Sequence, residues 1–168
     1  LFKTDPIRLE VIEPYPGRLK KGLRQDERVI LHTEKVQKID PALFRELEKD
    51  DVLFLDTTHV SKLGSEVNYI MFQVLPLLKA GVRIHVHEMF YPFTYPESFF
   101  SDGKFWNEIF LWHAFLMNNA DYEIEFFNSF LEQKHRDLMQ ESFPKYFEKG
   151  NPSIVIQNQG SSLWIRKR

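Results

Sequence analysis

The sequence contains no cysteine among its 168 residues. A disulfide, a thiolate metal site and a cysteine nucleophile are therefore all excluded. Basic residues are not in excess either, because 22 Lys and Arg residues are set against 24 Asp and Glu residues, which gives a formal net charge of −2. This balance argues against a nucleic-acid surface and against a polybasic membrane patch.

Long apolar runs and glycine-rich loops are missing as well. The longest uncharged apolar stretches lie around residues 67–78 and 109–120, and both are shorter than the roughly 20 residues that a membrane-spanning helix needs. We recognise no signal peptide, so we expect a cytoplasmic protein without a membrane partner. The seven glycines form neither a GxGxxG nor a Walker pattern, so we find no phosphate-cradling loop in these residues.

What the sequence does have is ample material for a core. It is 43% hydrophobic and 15% aromatic, and its length suits one domain covering residues 1–168. Residues 52–88 form the clearest unit. An apolar run, residues 52–55, leads to Asp56, an amphipathic helix follows, and a second run, residues 82–86, leads to His87 and Glu88. Apolar strands joined by such a helix predict a parallel sheet.

The helix of this unit has apolar residues at intervals of three and four between residues 67 and 78. Ser65 is suited to cap its start and Gly81 to end it, while Pro76 should kink it or separate its last turn. Further strands are predicted at residues 8–12, 29–32, 121–127 and 162–166, with a short extended piece at 154–156. Further helices are predicted at residues 18–24, 41–49, 105–118 and 130–143, the third of them buried almost all round. This alternation indicates an α/β domain.

Polar residues follow the two central strands where those strands end. Ligands bind beyond the carboxyl ends of parallel strands, so Asp56, His59, His87 and Glu88 should converge there. Asp56 and His59 could share a metal or orient a proton acceptor. Alternatively, Asp56 caps a turn and His59 packs locally.

The second strand end imposes a condition on these residues. Side chains alternate along a strand, so His87 and Glu88 can reach one site only if the strand stops near His87. Asp56 and Glu88 together would form a hard oxygen site suited to Mg²⁺ or Mn²⁺. Glu13 ends the first predicted strand, where it could bind ribose hydroxyls or be a solvated loop acid.

Several segments resemble a bacterial branch of the class I S-adenosylmethionine-dependent methyltransferases. The resemblance runs over nearly the whole chain, and it is carried by short segments: 12–16, 51–60, 64–69, 86–96, 105–108 and 160–166. The resemblance implies a Rossmann-like methyltransferase fold with a mostly parallel sheet, helices on both faces and an antiparallel C-terminal strand. The implied activity is O-methylation of a small molecule or a sugar, and an oligomer of this chain is compatible with it.

The resemblance also assigns roles to residues. Glu13 would hold the ribose of S-adenosylmethionine, Gln37 would lie near its adenine, and the stretch that begins with Asp56 and Thr57 would face the methyl donor and acceptor. For a methyltransferase we expect His59 or His87 to be the base, with Asp56 orienting either that base or a metal. Related sugar methyltransferases bind Mg²⁺ through acids at the same two strand ends, which correspond to Asp56 and Glu88.

The family's first strand and glycine-rich loop have no counterpart in these residues. The resemblance therefore implies an N-terminally truncated domain that binds the cofactor poorly by itself, with the activity belonging to the full-length protein. The alternative is a non-catalytic α/β binding or interaction domain that has lost the cofactor loop. A third interpretation is another nucleotide-sugar enzyme that uses the same strand ends.

Overall fold

The structure, a computed structural model, describes residues 7–23, 29–147 and 160–168. The chain divides into two compact units, Leu1–Leu43 and Phe44–Arg168. No helix in the described ranges is both long and apolar enough to cross a membrane. That the whole chain forms a single domain stays a prediction.

The first unit contains a two-stranded parallel sheet. Strand β1, Leu9–Ile12, pairs with strand β2, Val29–His32, and helix α1, Gly17–Gly22, lies between them in sequence. A 3₁₀ turn follows at Val36–Lys38. The strands predicted at residues 8–12 and 29–32 are confirmed. They form because short runs of β-branched and leucine residues favour extended backbone.

The second unit contains a four-stranded sheet in the order β3-β4-β6-β5. Its strands are β3 at Val52–Leu55, β4 at Arg83–His87, β5 at Tyr122–Phe127 and β6 at Ser162–Lys167. β3 and β4 are parallel, and β6 runs antiparallel to both of its neighbours. The α/β class and the antiparallel C-terminal strand are confirmed. Two of the four described pairings are antiparallel, so the sheets are mixed rather than mostly parallel.

The connection from β3 to β4 is helical but irregular. It consists of α3, Glu66–Tyr69, a π-helical segment, Ile70–Val74, and a 3₁₀ turn, Leu75–Leu77. The Ser65 hydroxyl accepts a hydrogen bond from the Asn68 amide at 3.3 Å, so the predicted cap is confirmed. Pro76 lies in the separate last turn, as expected for a residue that cannot donate a helical hydrogen bond.

The apolar side of this connection supplies much of the unit's buried core. Further core residues come from the central strands and from helix α5. Among the described residues, the largest fully buried apolar side chains are those of Val67, Val74, Leu75, Val82, Ile84, Val86, Met89, Ile109, Trp112, Leu163 and Ile165. Because Ile84 and Val86 are buried, Arg83, His85 and His87 face the other side of β4 and are only half-buried.

One of the remaining helices lies at the boundary between the two units, and the others lie in three stretches of the second unit. Their bounds are α2, Ala42–Arg45; α4, Glu97–Ser101; α5, Glu108–Leu116; α6, Asn128–Lys134; α7, Arg136–Ser142; and α8, Pro144–Phe147. The Asp40 side chain accepts the Ala42 amide at 2.9 Å at the start of α2. The extended piece predicted at residues 154–156 lies outside the described ranges.

Three helix predictions need correction. The helix predicted for residues 41–49 is a single turn, Ala42–Arg45. The helix predicted for residues 105–118 begins only at Glu108, and it is not buried all round, because Phe110 on its outer side is 55% exposed. An apolar composition does not by itself show burial, because a hydrophobic side chain is buried only where another part of the protein packs against it. The helix predicted for residues 130–143 is two helices, which are separated at His135.

The register of β3 and β4 places their polar ends side by side. Leu55 lies opposite Val86 in the parallel ladder, so Asp56 and His87 are the next residues on adjacent strands. β4 ends at His87, and Glu88 has a φ of +55°. The strand therefore stops where a site shared by Asp56 and Glu88 requires it to stop.

Candidate metal-binding site

His59 is the centre of the site at the ends of β3 and β4. It is only 3% exposed and has a φ of +58°, a left-handed conformation that costs a non-glycine residue about 1 kcal/mol or more. Its backbone is held on both sides. The His59 amide donates to the Thr57 hydroxyl at 3.0 Å, and its carbonyl accepts the amides of Asn107 and Glu108 at 3.0 and 3.1 Å.

The imidazole of His59 lies between carboxylates. Nδ1 is 3.0 Å from Glu108 Oε2, while Nε2 is 3.0 Å from Glu88 Oε2 and 3.7 Å from Asp56 Oδ1. Trp106 covers one face of the ring, with 4.2 Å between the ring centroids. The ring is therefore fixed at both nitrogens and on one face.

Glu108 is the residue that sequence reasoning missed. It is the first residue of α5 and is only 2% exposed. Its Oε2 accepts the Thr57 hydroxyl at 2.5 Å as well as His59 Nδ1, and its Oε1 accepts the Trp112 indole at 3.1 Å. The one available signal was an acid in an otherwise apolar helix, since such an acid is seldom buried unless it is paired.

The charges around His59 determine its protonation. Burial by itself lowers the pKa of the imidazole, because it disfavours the charged form. The hydrogen bond and charge of Glu108, together with the charges of Glu88 and Asp56, outweigh burial, so the pKa of His59 is raised above its ordinary value. The same negative charges would attract a metal cation.

Three side chains of this site could hold a metal ion. Asp56, His59 and Glu88 each offer a ligand atom, and these atoms all lie within 4.8 Å of one another. The Asp56 side chain is 56% exposed and that of Glu88 is 23% exposed, so the cluster is open on the carboxylate side. Two carboxylates and one imidazole suit a divalent cation such as Mg²⁺ or Mn²⁺.

The other candidates at the strand ends have different surroundings. His87, predicted as an alternative base, is not in the metal cluster, and its ring lies 6.3 Å from that of Phe54 and 6.4 Å from that of His85. Strand alternation separates it from Glu88, which the left-handed turn directs toward His59. Thr57 donates its hydroxyl to Glu108, so it helps to hold the site. The roles assigned to these residues stay predictions.

Glu13 and Gln37, the other two predicted cofactor residues, belong to the first unit. Glu13 follows β1, and its carboxylate accepts the Tyr15 amide at 2.7 Å. It borders an open depression of about 480 Å³ that is lined by Glu13, Tyr15, Arg18, Leu19, Gly22 and Leu23. Gln37 lies half-buried in the 3₁₀ turn after β2.

The raised pKa of His59 predicts a pH-dependent stability. A histidine whose pKa is raised by folding stabilises the protein fully below its unfolded pKa of about 6.5 and loses this contribution as the pH rises through the folded pKa. In chelator-containing buffer, we expect the free energy of unfolding to fall above about pH 6.5, and His59→Gln should remove this component. Urea unfolding at a series of pH values measures it.

His85 provides a control of opposite sign. Burial and the neighbouring charge of His87 lower its pKa, so its contribution is lost as the pH falls below about 6.5. His85→Gln should therefore change the acid side of the stability curve and leave the alkaline side as in the wild type. An unchanged alkaline slope in His59→Gln would show that His59 is not held as described.

Comparisons with known proteins identify no relative of this chain. No protein-family model matches the sequence, no curated protein is significantly similar to it, and no solved structure matches the fold. Any function must therefore be inferred from the geometry of the site and from the resemblance in the sequence.

Proposed function

We propose that this chain belongs to an S-adenosylmethionine-dependent O-methyltransferase that acts on a small hydroxylated molecule, such as a sugar. We further propose that Asp56, His59 and Glu88 hold a divalent cation beside the acceptor. The observation that carries the proposal is the convergence of these three ligand atoms within 4.8 Å at the carboxyl ends of two adjacent parallel strands, which is where α/β sheets bind ligands.

The arrangement of strands supports the proposed fold. β3 and β4 are the parallel neighbours that the resemblance matches to the family's fourth and fifth strands, and they are joined by a helical connection. β6 contains residues 162–166 of the last segment that carries the resemblance and runs antiparallel to β4, as the resemblance implies for the closing strand. β1 and β2, matched to the second and third strands, are parallel neighbours.

The first unit offers a place for part of the cofactor. Glu13 lies at the end of β1, beside the depression that Tyr15 and Arg18 also line. One oxygen of the carboxylate accepts the Tyr15 amide, which leaves the second oxygen to accept ribose hydroxyls. An aromatic ring next to these acceptors is suited to contact a planar base.

The proposed chemistry is the transfer of one methyl group. When bound, S-adenosylmethionine supplies that group: its S–CH₃ bond breaks, an O–CH₃ bond forms, the acceptor loses a proton to a base, and a neutral thioether is left. A bound divalent cation would lower the pKa of a coordinated hydroxyl. The contribution of the protein is to orient the acceptor and exclude water, which can account for much of the rate enhancement of such a transfer.

We assign each residue of the site a role according to how exposed its side chain is. Asp56 and Glu88 present the open, negatively charged side to an acceptor and its cation. His59 is buried and paired at both nitrogens, so we assign it the role of a ligand that anchors the site. His87, half-exposed at the end of β4, keeps the proposed role of base.

Loss of a ligand should weaken cation binding. We expect isothermal titration of the 168-residue chain with Mn²⁺ to show one site, and Asp56→Asn or Glu88→Gln to weaken it by at least about 10- to 100-fold, the cost of disturbing even outer partners of a metal site. The reason is that each amide replaces a charged oxygen ligand with a neutral one.

A matched control separates specific binding from general charge. Glu141→Gln removes the same charge from an exposed position on α7, so it should leave the Mn²⁺ affinity unchanged. Equal weakening in Glu141→Gln and Glu88→Gln, or the absence of any Mn²⁺ site in the wild type, would contradict the cation site.

Cofactor use is tested on the full-length protein. We expect transfer of a labelled methyl group from S-adenosylmethionine to a member of a panel of hydroxylated small molecules. We also expect Glu13→Ala to weaken S-adenosylmethionine binding by about 1–3 kcal/mol, because the ribose hydroxyls lose an ionised acceptor. Calorimetry measures the affinity, and Glu34→Ala, at an exposed acid of the same unit, is the control.

The alternative interpretation gives a different outcome. A non-catalytic binding domain would bind Mn²⁺ through Asp56, His59 and Glu88 yet show neither affinity for S-adenosylmethionine nor methyl transfer in the full-length protein. That combination would reject the methyltransferase proposal and leave the cation site intact.

A further inference from the structure

The carboxylate of Glu108 is buried, and burying a charged group costs free energy unless hydrogen bonds compensate for its lost hydration. A charged group that is 2% exposed loses nearly all of its hydration and must be compensated by hydrogen bonds. Glu108 receives three of them from side chains, and two of these converge on Oε2, from Thr57 and from His59. The third comes to Oε1 from Trp112.

These bonds determine which nitrogen of His59 carries a proton. An ionised carboxylate only accepts hydrogen bonds, so the ring nitrogen that faces it must be a donor. Nδ1 faces Glu108 at 3.0 Å. Nε2 also faces a carboxylate, that of Glu88 at 3.0 Å, so exposure distinguishes the two sides. Glu108 is 2% exposed and depends on this donor, whereas water can reach Glu88 and Asp56. In a neutral imidazole we therefore expect the proton on Nδ1 and the free lone pair on Nε2.

Glu108 and its neighbour Asn107 also fix the backbone of His59. The amides of Asn107 and Glu108 donate to the His59 carbonyl. The Asn107 side chain accepts the Ser61 amide at 2.6 Å and donates to the Ser61 carbonyl at 3.2 Å. The left-handed conformation of His59 and the direction of its ring are thus set by one stretch, residues 106–108, that lies almost 50 positions further along the chain.

We propose that Glu108 is the positioning residue of this site: its carboxylate keeps the proton of His59 on Nδ1 and thereby presents Nε2 as a ligand to a cation held with Asp56 and Glu88. This inference rests on the proposed function, because it concerns the same site. Carboxylate partners of metal-binding histidines act in this way, by fixing the tautomer and the orientation of the ring.

Replacing Glu108 with glutamine makes a sharp prediction, because Trp112 can only donate a hydrogen bond. The amide oxygen of Gln at position 108 must therefore turn toward the Trp112 indole. Its NH₂ group then faces the Thr57 hydroxyl and His59 Nδ1. The hydroxyl can accept a hydrogen bond from this group, but Nδ1 can accept one only if it carries no proton. The proton of the neutral ring moves to Nε2, where it blocks cation binding.

The experiment compares long-range ¹H–¹⁵N spectra of the 168-residue chain, recorded in alkaline buffer that keeps His59 neutral, with Mn²⁺ titrations. We expect the Nδ1–H tautomer in the wild type and the Nε2–H tautomer in Glu108→Gln, together with a loss of Mn²⁺ affinity of about 10- to 100-fold. Trp112→Phe removes a different hydrogen bond of Glu108 and should retain the wild-type tautomer.

A double variant distinguishes positioning from support of the fold. In Glu108→Gln with Trp112→Phe, the indole N–H that donated to the amide oxygen is gone. The oxygen can then turn to His59 and accept a hydrogen bond from Nδ1. This should restore the Nδ1–H tautomer and part of the Mn²⁺ affinity. If Glu108 only supported the fold, the double variant would be further from the wild type than either single variant. That result would overturn the proposal.

Two further results would also overturn it, and neither needs a cation. One is an Nε2–H tautomer in the wild-type protein, which is decisive even if the variants fail to fold. The other is an unchanged His59 spectrum in Glu108→Gln. If the wild type binds no Mn²⁺, the cation part of the proposed function fails, while the tautomers still decide the role of Glu108.

Discussion

The buried carboxylate of Glu108 is the interaction on which the candidate site depends. It joins the start of α5 to the turn after β3, because its donors include both Thr57 and His59. Leaving a buried charge without one of its partners costs several kcal/mol (about 3–5). The turn that carries His59 and the helix that carries Glu108 are therefore expected to form together, so that the geometry of the site is part of the stability of the second unit.

The parallel pairing of β3 and β4 provides the second constraint. It brings Asp56 and the end of β4 to one edge of the sheet, and the left-handed residues His59 and Glu88 then direct their side chains toward each other. Such conformations are rare for these residue types and cluster at functional sites. The result is a negatively charged opening above a buried imidazole, a donor set that could hold a divalent cation.

Much of this arrangement could be predicted from local patterns. The runs at 52–55 and 82–86 predicted β3 and β4, and the rule for parallel strand ends predicted that Asp56 and Glu88 would converge with His59. The Ser65 cap and the separate turn at Pro76 follow from short-range chemistry. In each case the deciding interactions lie within a few residues or follow from one sheet pairing.

The rest depended on contacts that local patterns do not encode. Glu108 meets His59 across 49 positions, and its burial follows from a tertiary pairing that composition cannot show. Phe110 is exposed although its helix is apolar, because burial needs a neighbour as well as a hydrophobic side chain. His87 was grouped with the site by its position in sequence, but the alternation of side chains along β4 sets it apart from Glu88.

The most direct test of the account is anomalous diffraction from crystals soaked in Mn²⁺. A single strong peak bonded to Asp56, Glu88 and Nε2 of His59, with Nδ1 of the same ring still bonded to Glu108, is the predicted result. The cation site would be contradicted if no peak appeared at this cluster at high Mn²⁺ concentration, or if the ion bound the carboxylates while His59 turned away.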